Sequence, residues 1–307
     1  MKYFLFTLSG IILIVLSVLS IFYYQNIKEM DLSSLAPPHT SEPPSTESKE
    51  LHIVNPDDPI FYSLQDDELN ISFNQGKDWT TVPVPLDELF SGEYNGNRQE
   101  LIEDSYFLTE NLTAFLYSEG QNWESQRVVL LYSTDQGETW EESTVKEPFP
   151  GMRFRKVDFL NEEFGYVIIS GGRTMSEEGS FVFLTHDGGE SWQETTNLGV
   201  TRLISDGGFV DESTGFITFE TINSGKPELY VTKDAGQTWK QASLQIPEEY
   251  NEIFIQAGLP VQEEDHLSLL VNQGPYGDYQ GGLVEGKFIS EDNGETWEFE
   301  MEVEPNE

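Results

Sequence analysis

The chain has 307 residues, with 55 Asp and Glu against 16 Lys and Arg and no cysteine, a formal charge of −39. Such a surface repels nucleic acid and anionic lipid over most of its area, so no nucleic-acid partner is expected. Disulfides, thiol chemistry and a lipid-modified N-terminal cysteine are excluded outright, while a chain that is 37% hydrophobic and 13% aromatic still has enough for a packed core.

In chain order, the first element is Tyr3–Tyr24, 22 residues without a charge. As a helix it would span roughly 33 Å, enough to cross a bilayer. Tyr3, Tyr23 and Tyr24 would sit at the interfaces, and Lys2 before the run favours a cytoplasmic N-terminus with the remainder outside. Residues 1–30 are therefore read as a membrane anchor. The competing reading is a cleaved signal peptide and a secreted domain, although the apolar run is long and no A-x-A site follows. A cysteine-free extracytoplasmic domain suits a bacterium better than an animal cell. Residues 31–50, rich in Pro, Ser and Thr with almost nothing to bury, read as a linker, which leaves 51–307 as the folded domain.

That domain writes one phrase repeatedly. STDQGETW closes on Trp140, THDGGESW on Trp192, TKDAGQTW on Trp239 and SEDNGETW on Trp297; a weaker copy, SFNQGKDW, closes on Trp79. The spacings are 61, 52, 47 and 58 residues, a period that marks a propeller. Asp135, Asp187, Asp234 and Asp292 are suited to accept hydrogen bonds from their own turns. Gly137, Gly189, Gly236 and Gly294 permit the positive φ such a turn needs. Trp140, Trp192, Trp239 and Trp297 are expected in the core between sheets. The phrase is thus structural. One carboxylate per turn is too few for calcium, so no metal is expected.

Around each copy stand four short runs with strand character, such as residues 153–160, 164–170, 180–185 and 191–196. The pattern S/T-x-D-x-G-x-T/S-W resembles the Asp-box, or BNR, repeat of sialidases, sortilin-type receptors and propellers resembling photosystem II assembly factors. The resemblance covers about residues 60–300. It implies an all-β propeller of about five four-stranded blades, with a sixth possible, and the box as the turn between the third and fourth strand of each. In the first copy Asn74 replaces Asp and Asp78 replaces Thr or Ser, so that blade is expected to be looser. Leu51–Val54 is expected to supply its inner strand.

The same resemblance places function away from the boxes, in a cup at the opposite mouth of the central channel. All six arginines map to that face. Arg98, Arg153 and Arg202 each start an inner strand of a different blade, much as sialidases gather three arginines round a carboxylate. The bland reading is that arginines neutralise nearby acidic loops. Arg127 and Arg173 lie in or beside loops of the same face, as do Trp123, Tyr276 and Tyr279 on glycine-rich loops suited to recognition. The same aromatics could equally pack on their own loops.

No catalytic set stands out. The Arg-Ile-Pro motif of sialidases is missing, and His39, His52, His186 and His266 have no zinc spacing. Phosphate-loop and serine-elbow motifs are missing too. A non-catalytic extracytoplasmic propeller recognising a protein or glycan is the first expectation, without a cofactor. A sialidase-like glycoside hydrolase is the alternative.

Overall fold

A computed structural model describes residues 51–175, 177–220 and 225–305. The expected anchor (1–30) and linker (31–50) lie outside the described residues. Among the described residues no helix is long and apolar enough to cross a membrane.

Leu51–Glu307 forms one compact unit, and its strands form five sheets. The first holds β1 (Phe61–Gln65), β2 (Glu68–Ser72) and β3 (Thr80–Thr81). The second runs β4 (Tyr106–Leu108), β5 (Thr113–Glu119), β6 (Gln126–Ser133), β7 (Glu141–Phe149). The third runs β8 (Met152–Phe159), β9 (Gly165–Thr174), β10 (Glu177–Thr185), β11 (Gln193–Glu194). The fourth runs β12 (Ile204–Phe209), β13 (Gly215–Phe219), β14 (Leu229–Thr232), β15 (Lys240–Gln241). The fifth holds β16 (Ser243–Gln245), β17 (Gln256–Ala257), β18 (Val261–Gln262), β19 (Leu267–Asn272), β20 (Glu285–Ser290) and β21 (Thr296–Val303), with β16 added in parallel at the outer edge of β21. The one described α-helix, α1, is a single turn at Leu86–Leu89.

Within the second to fourth sheets consecutive strands are antiparallel neighbours, as hairpin-linked meanders require. First strands of successive sheets adjoin: Val157 N–H donates to Asp104 O at 2.8 Å, and Lys156 Nζ reaches Asp206 at 2.8 Å. They are therefore the inner strands of a propeller. Four apolar clusters each join one sheet to the next, with Leu116, Val128 and Phe149 against Val157, Val167 and Phe183, for example. None of these clusters joins the fifth sheet to the first.

Leu51–Val54 is not a strand, contrary to expectation. The physical reason is Asn55. Its Oδ1 accepts the Tyr62 N–H at 2.8 Å, where a strand carbonyl would sit, and its Nδ2 donates to Ile60 O at 2.8 Å. The chain is thereby folded into a turn beside β1, leaving only the Val54 N–H to reach Tyr62 O. The first sheet consequently has three strands.

The box turns have a common geometry. Asp135 Oδ1 accepts from Thr139 N–H at 2.8 Å and its Oδ2 from Thr139 Oγ1 at 2.6 Å, while Gly137 N–H donates to Ser133 Oγ at 2.8 Å. The same bonds recur at Asp187, Asp234 and Asp292. The four box glycines have φ of 80°, 98°, 74° and 85°. At Gly294 an added Cβ would also lie 2.3 Å from Phe216 of the preceding sheet, so the position is closed to side chains twice over. The first copy keeps the turn by exchanging roles. Asn74 Oδ1 accepts the Asp78 N–H at 2.9 Å, and Asn74 Nδ2 donates to the Asp78 carboxylate at 2.8 Å.

The box tryptophans depart from expectation in depth. Trp297 alone among them is fully buried; Trp79, Trp140, Trp192 and Trp239 are half-buried, the last three packed at the edges of the inter-sheet clusters.

The hydrogen bonds from Thr139 and Thr238 hold the carboxyls of Asp135 and Asp234 below the ordinary aspartate range. At Asp187 and Asp292 burial opposes the same effect but is outweighed. A lowered folded pKa gives stability that is present above the unfolded value near 4 and lost as pH falls through the folded one. The double variant Asp135→Asn/Asp234→Asn is therefore expected to be less stable than the parent at pH 7 and to approach it at pH 3. Urea unfolding at both pH values checks this; an equal gap at both would refute it.

Candidate functional site at the channel mouth

The box turns and the turns after the inner strands share one face. Gly188 N–H donates to Glu163 O at 2.9 Å, and Ala235 N–H to Ser213 O at 2.9 Å. The loops after β5, β9, β13 and β19, with the connections between sheets, lie at the other end. Two larger clefts open there, each of about 600 Å³, and a third, sharing Ser205 with one and Glu220 with the other, lies between them.

The first cleft is walled by Glu93, Tyr94, Arg153, Arg173 and Asp206. Arg153 and Arg173 are thus brought together; Arg98 and Arg202 are not among its walls. Arg153 is 17% exposed and grips Glu178, whose side chain is 0% exposed, with Nε 2.6 Å from Oε2. Burial opposes its charge, but Glu178 prevails and holds the guanidinium above its ordinary pKa. Arg173 pairs with Glu93 at 2.7 Å. Arg98 pairs with Asp87 and lies over the Phe90 ring, 5.4 Å from its centroid. Arg202 pairs with Glu228, and Arg127 with Glu119 and Glu142. Five of the six arginines therefore meet a carboxylate of their own chain.

Arg155 is the exception. It is buried in a wholly neutral setting and donates to the carbonyls of Leu89, Ser91 and Tyr94, the first and last at 3.1 and 3.0 Å. Burial pushes its pKa down to about 10. Its work is to pin residues 89–94, which carry Glu93 and Tyr94 to the rim. Glu93 N–H completes the strap by donating to Met152 O at 2.8 Å.

At the same cleft one lysine bridges two of the walling carboxylates, Asp206 on β12 and Asp104 just before β4. Lys156 stands between Asp206 at 2.8 Å and Asp104 at 3.6 Å. Burial would lower the Lys156 pKa, but the two carboxylates raise it above its ordinary value. Burial raises that of Asp104, with Lys156 partly offsetting it. Sequence reading singled out none of these three as a functional residue. Lys156 lies within β8 and Asp206 within β12, while Asp104 stands just before β4.

The aromatic candidates separate. Trp123 is half exposed, its ring laid so close on Gly151 that any side chain there would collide with it. Tyr276 is 96% exposed and Tyr279 half-buried, its hydroxyl donating to Glu302 at 3.1 Å; both wall the second large cleft. Among the described residues no group of His, Asp or Glu is arranged to hold a metal ion.

Five sheets meeting along their inner strands, with recognition-sized clefts at one mouth, define a β-propeller domain. The chain belongs to the DUF6242 β-propeller domain family, whose model matches residues 36–264. No curated protein matches it. Among solved structures it is similar to the GH74 xyloglucanase from Xanthomonas campestris, at 14% identity and a TM-score of 0.42, over 79% of this chain and 36% of that one. It is similar to YCF48 from Cyanidioschyzon merolae at 15% identity and a TM-score of 0.43, over 79% and 66%. A protein of unknown function from Dyadobacter fermentans is similar at 16% identity and a TM-score of 0.40, over 64% and 70%. The chain thus spans about a third of the length of the xyloglucanase.

Proposed function

We propose that this chain is an Asp-box propeller, carried outside a membrane by residues 1–30, that recognises a protein or glycan partner at the channel mouth without catalysing a reaction. The observation that carries the reading is the distribution of exposed apolar side chains. Of the eight large ones exposed among the described residues, five, Tyr94, Trp123, Met175, Tyr276 and Leu283, stand on the mouth face, with Tyr94 and Tyr276 walling clefts there; Leu160 stands at a box-face turn, and Val261 and Met301 on strands. Aromatic residues and Met are the side chains enriched at interface centres. Against the sialidase-like alternative stands the pairing of Arg98, Arg153 and Arg202, each with its own carboxylate. A substrate carboxylate would have to displace one of these to be held by three arginines.

The test uses the full chain. Binding to solubilised envelope proteins and to a glycan array is measured for the parent, for Tyr94→Ser/Trp123→Ser/Met175→Ser, and for the box-face control Leu160→Ser. Saturable binding that the triple variant loses and the control keeps is expected, with no turnover of a fluorogenic sialoside or of aryl glycosides. Turnover abolished by Arg153→Ala would overturn the reading in favour of a hydrolase. The membrane placement predicts that protease added to intact cells releases the propeller by cutting within 31–50; protection until lysis would refute it.

A further inference from the structure

We infer that the second large cleft, beside Tyr276, is a receptor for a basic side chain, arginine or lysine, of a partner protein. The inference rests on the mouth being the recognition face and names what one part of it takes.

The argument begins with what the cleft offers. Its volume is about 600 Å³. Ile253, Ile255 and Pro275 give it an apolar wall, Tyr276 and Tyr279 an aromatic one, and Glu220, Glu252 and Asp278 contribute carboxylates. Among the described residues lining it there is no Lys, Arg or His. The other large cleft differs: three of its four carboxylates, Glu93, Asp104 and Asp206, already meet an arginine or lysine, and Arg153 and Arg173 line it as well. Here, among the described residues, Arg153 approaches Glu220 only to a loose 4.0 Å.

The second observation is a polar atom left over. Gln273 is 6% exposed and lines this cleft. Its Nε2 is spent on Tyr279 O at 3.0 Å and Val284 O at 2.9 Å, while its Oε1 has no hydrogen-bond partner. A buried acceptor without a donor is costly, and such groups mark places where a partner belongs. The other amide in the wall, Gln256 Nε2, already donates to Ser205 Oγ at 3.0 Å. Apart from the Tyr276 hydroxyl, which can donate or accept, the ionisable side chains that the cleft presents are carboxylates, which only accept.

That asymmetry selects the ligand. A neutral sugar brings hydroxyls, each with one donor and two acceptor positions, so a site for it needs donors as well as acceptors. A guanidinium or ammonium brings donors only. Its alkyl stem suits the Ile253, Ile255 and Pro275 wall, and its charge suits the face of a tyrosine ring. The −39 chain adds a long-range field of the attracting sign. Tyr276, 96% exposed at the lip, is placed to close over the stem.

The test titrates the full chain with the blocked peptides acetyl-Gly-Arg-Gly-amide and acetyl-Gly-Lys-Gly-amide, with the citrulline analogue, and with cellotetraose. Citrulline keeps the shape of arginine and removes its charge. The parent is compared with Glu252→Gln/Asp278→Asn and with the charge-matched box-face control Glu162→Gln/Glu190→Gln. The arginine peptide is expected to bind weakly, with Kd on the order of 1 mM, citrulline at least about tenfold worse. The cleft variant should lose about fivefold and the control less than twofold, since the control removes the same net charge from the far face. Equal loss in the two variants, or citrulline binding as well as arginine, would overturn the inference. Cellotetraose binding that Tyr276→Ala abolishes, with no peptide binding, would also overturn it, while leaving the mouth as a recognition face. Failure of the mouth reading itself would appear separately, as partner binding untouched by the Tyr94, Trp123 and Met175 substitutions.

Discussion

Trp297→Ala is expected to lower the stability of the domain by about 3–5 kcal/mol, the range for large aromatic truncations in cores. The ring is 0% exposed, sits in the cluster that joins the fourth and fifth sheets, and meets the Phe216 ring edge-on at 6.3 Å. Its indole N–H donates to Gly294 O at 2.9 Å, so the same side chain closes the box turn. Alanine would leave a cavity that the fifth sheet cannot collapse into without moving off Phe216. The counterpart at the other end, Trp79→Ala, is expected to cost less than about 2 kcal/mol, because that ring makes the equivalent bond to Gly76 O but is only half-buried and belongs to none of the apolar clusters that join sheets. For a domain of this size each kcal/mol moves Tm by about 2–4 °C. Thermal melts of the two variants decide it. Equal losses would mean that burial in the fifth sheet is not what sets the cost.

The contrast shows what the sequence could and could not disclose. The turn of each repeat was legible because every partner lies within the phrase: Asp135 to Thr139, Gly137 to Ser133. Local hydrogen bonds of that kind leave a pattern in the residues themselves. The strands of the third sheet were legible for a similar reason, since β-branched and aromatic residues are concentrated along β9 and β10, as in Val167–Ile169 and Phe181–Phe183. The depth of each tryptophan was not, because it depends on side chains of the preceding sheet, about 50 residues away. The arginines are the clearest case. Their clustering on one face could be read, but their partners stand far off in sequence: Glu178 is 25 residues from Arg153, and Leu89 is 66 from Arg155. Only the fold decides whether an arginine waits for a ligand or already holds a carboxylate. Leu51–Val54 failed as a strand for a subtler reason, because a single asparagine amide took the place of a strand's backbone groups.

The Arg153–Glu178 pair is where this matters most for function, and it carries the other large expected effect. Glu178, with its side chain 0% exposed, accepts from Arg153 Nε at 2.6 Å and from Ile204 N–H at 2.9 Å, while Arg153 donates to Ile204 O at 2.8 Å. The pair thus clasps β12 of the fourth sheet to β8 and β10 of the third. Glu178→Gln keeps the shape and removes the charge, leaving a largely buried guanidinium with only Glu220 at 4.0 Å. Breaking a buried pair from one side costs about 3–5 kcal/mol, whereas replacing both partners with apolar side chains of similar volume is far milder. The single variants Glu178→Gln and Arg153→Met are therefore expected to fall in that range, and the double variant Arg153→Met/Glu178→Met to recover more than half of either loss. Urea unfolding of the three and of Glu178→Met, which closes the cycle, gives the coupling energy. A loss below about 1 kcal/mol for Glu178→Gln would show that the guanidinium is not committed to the clasp. Arg153 would then be available to an anionic ligand after all, and the three-arginine cup would regain its strongest member. If instead the double variant is stable and still binds whatever partner the mouth recognises, Arg153 serves only to hold the two sheets together, and recognition falls to the tyrosines and the loops around them.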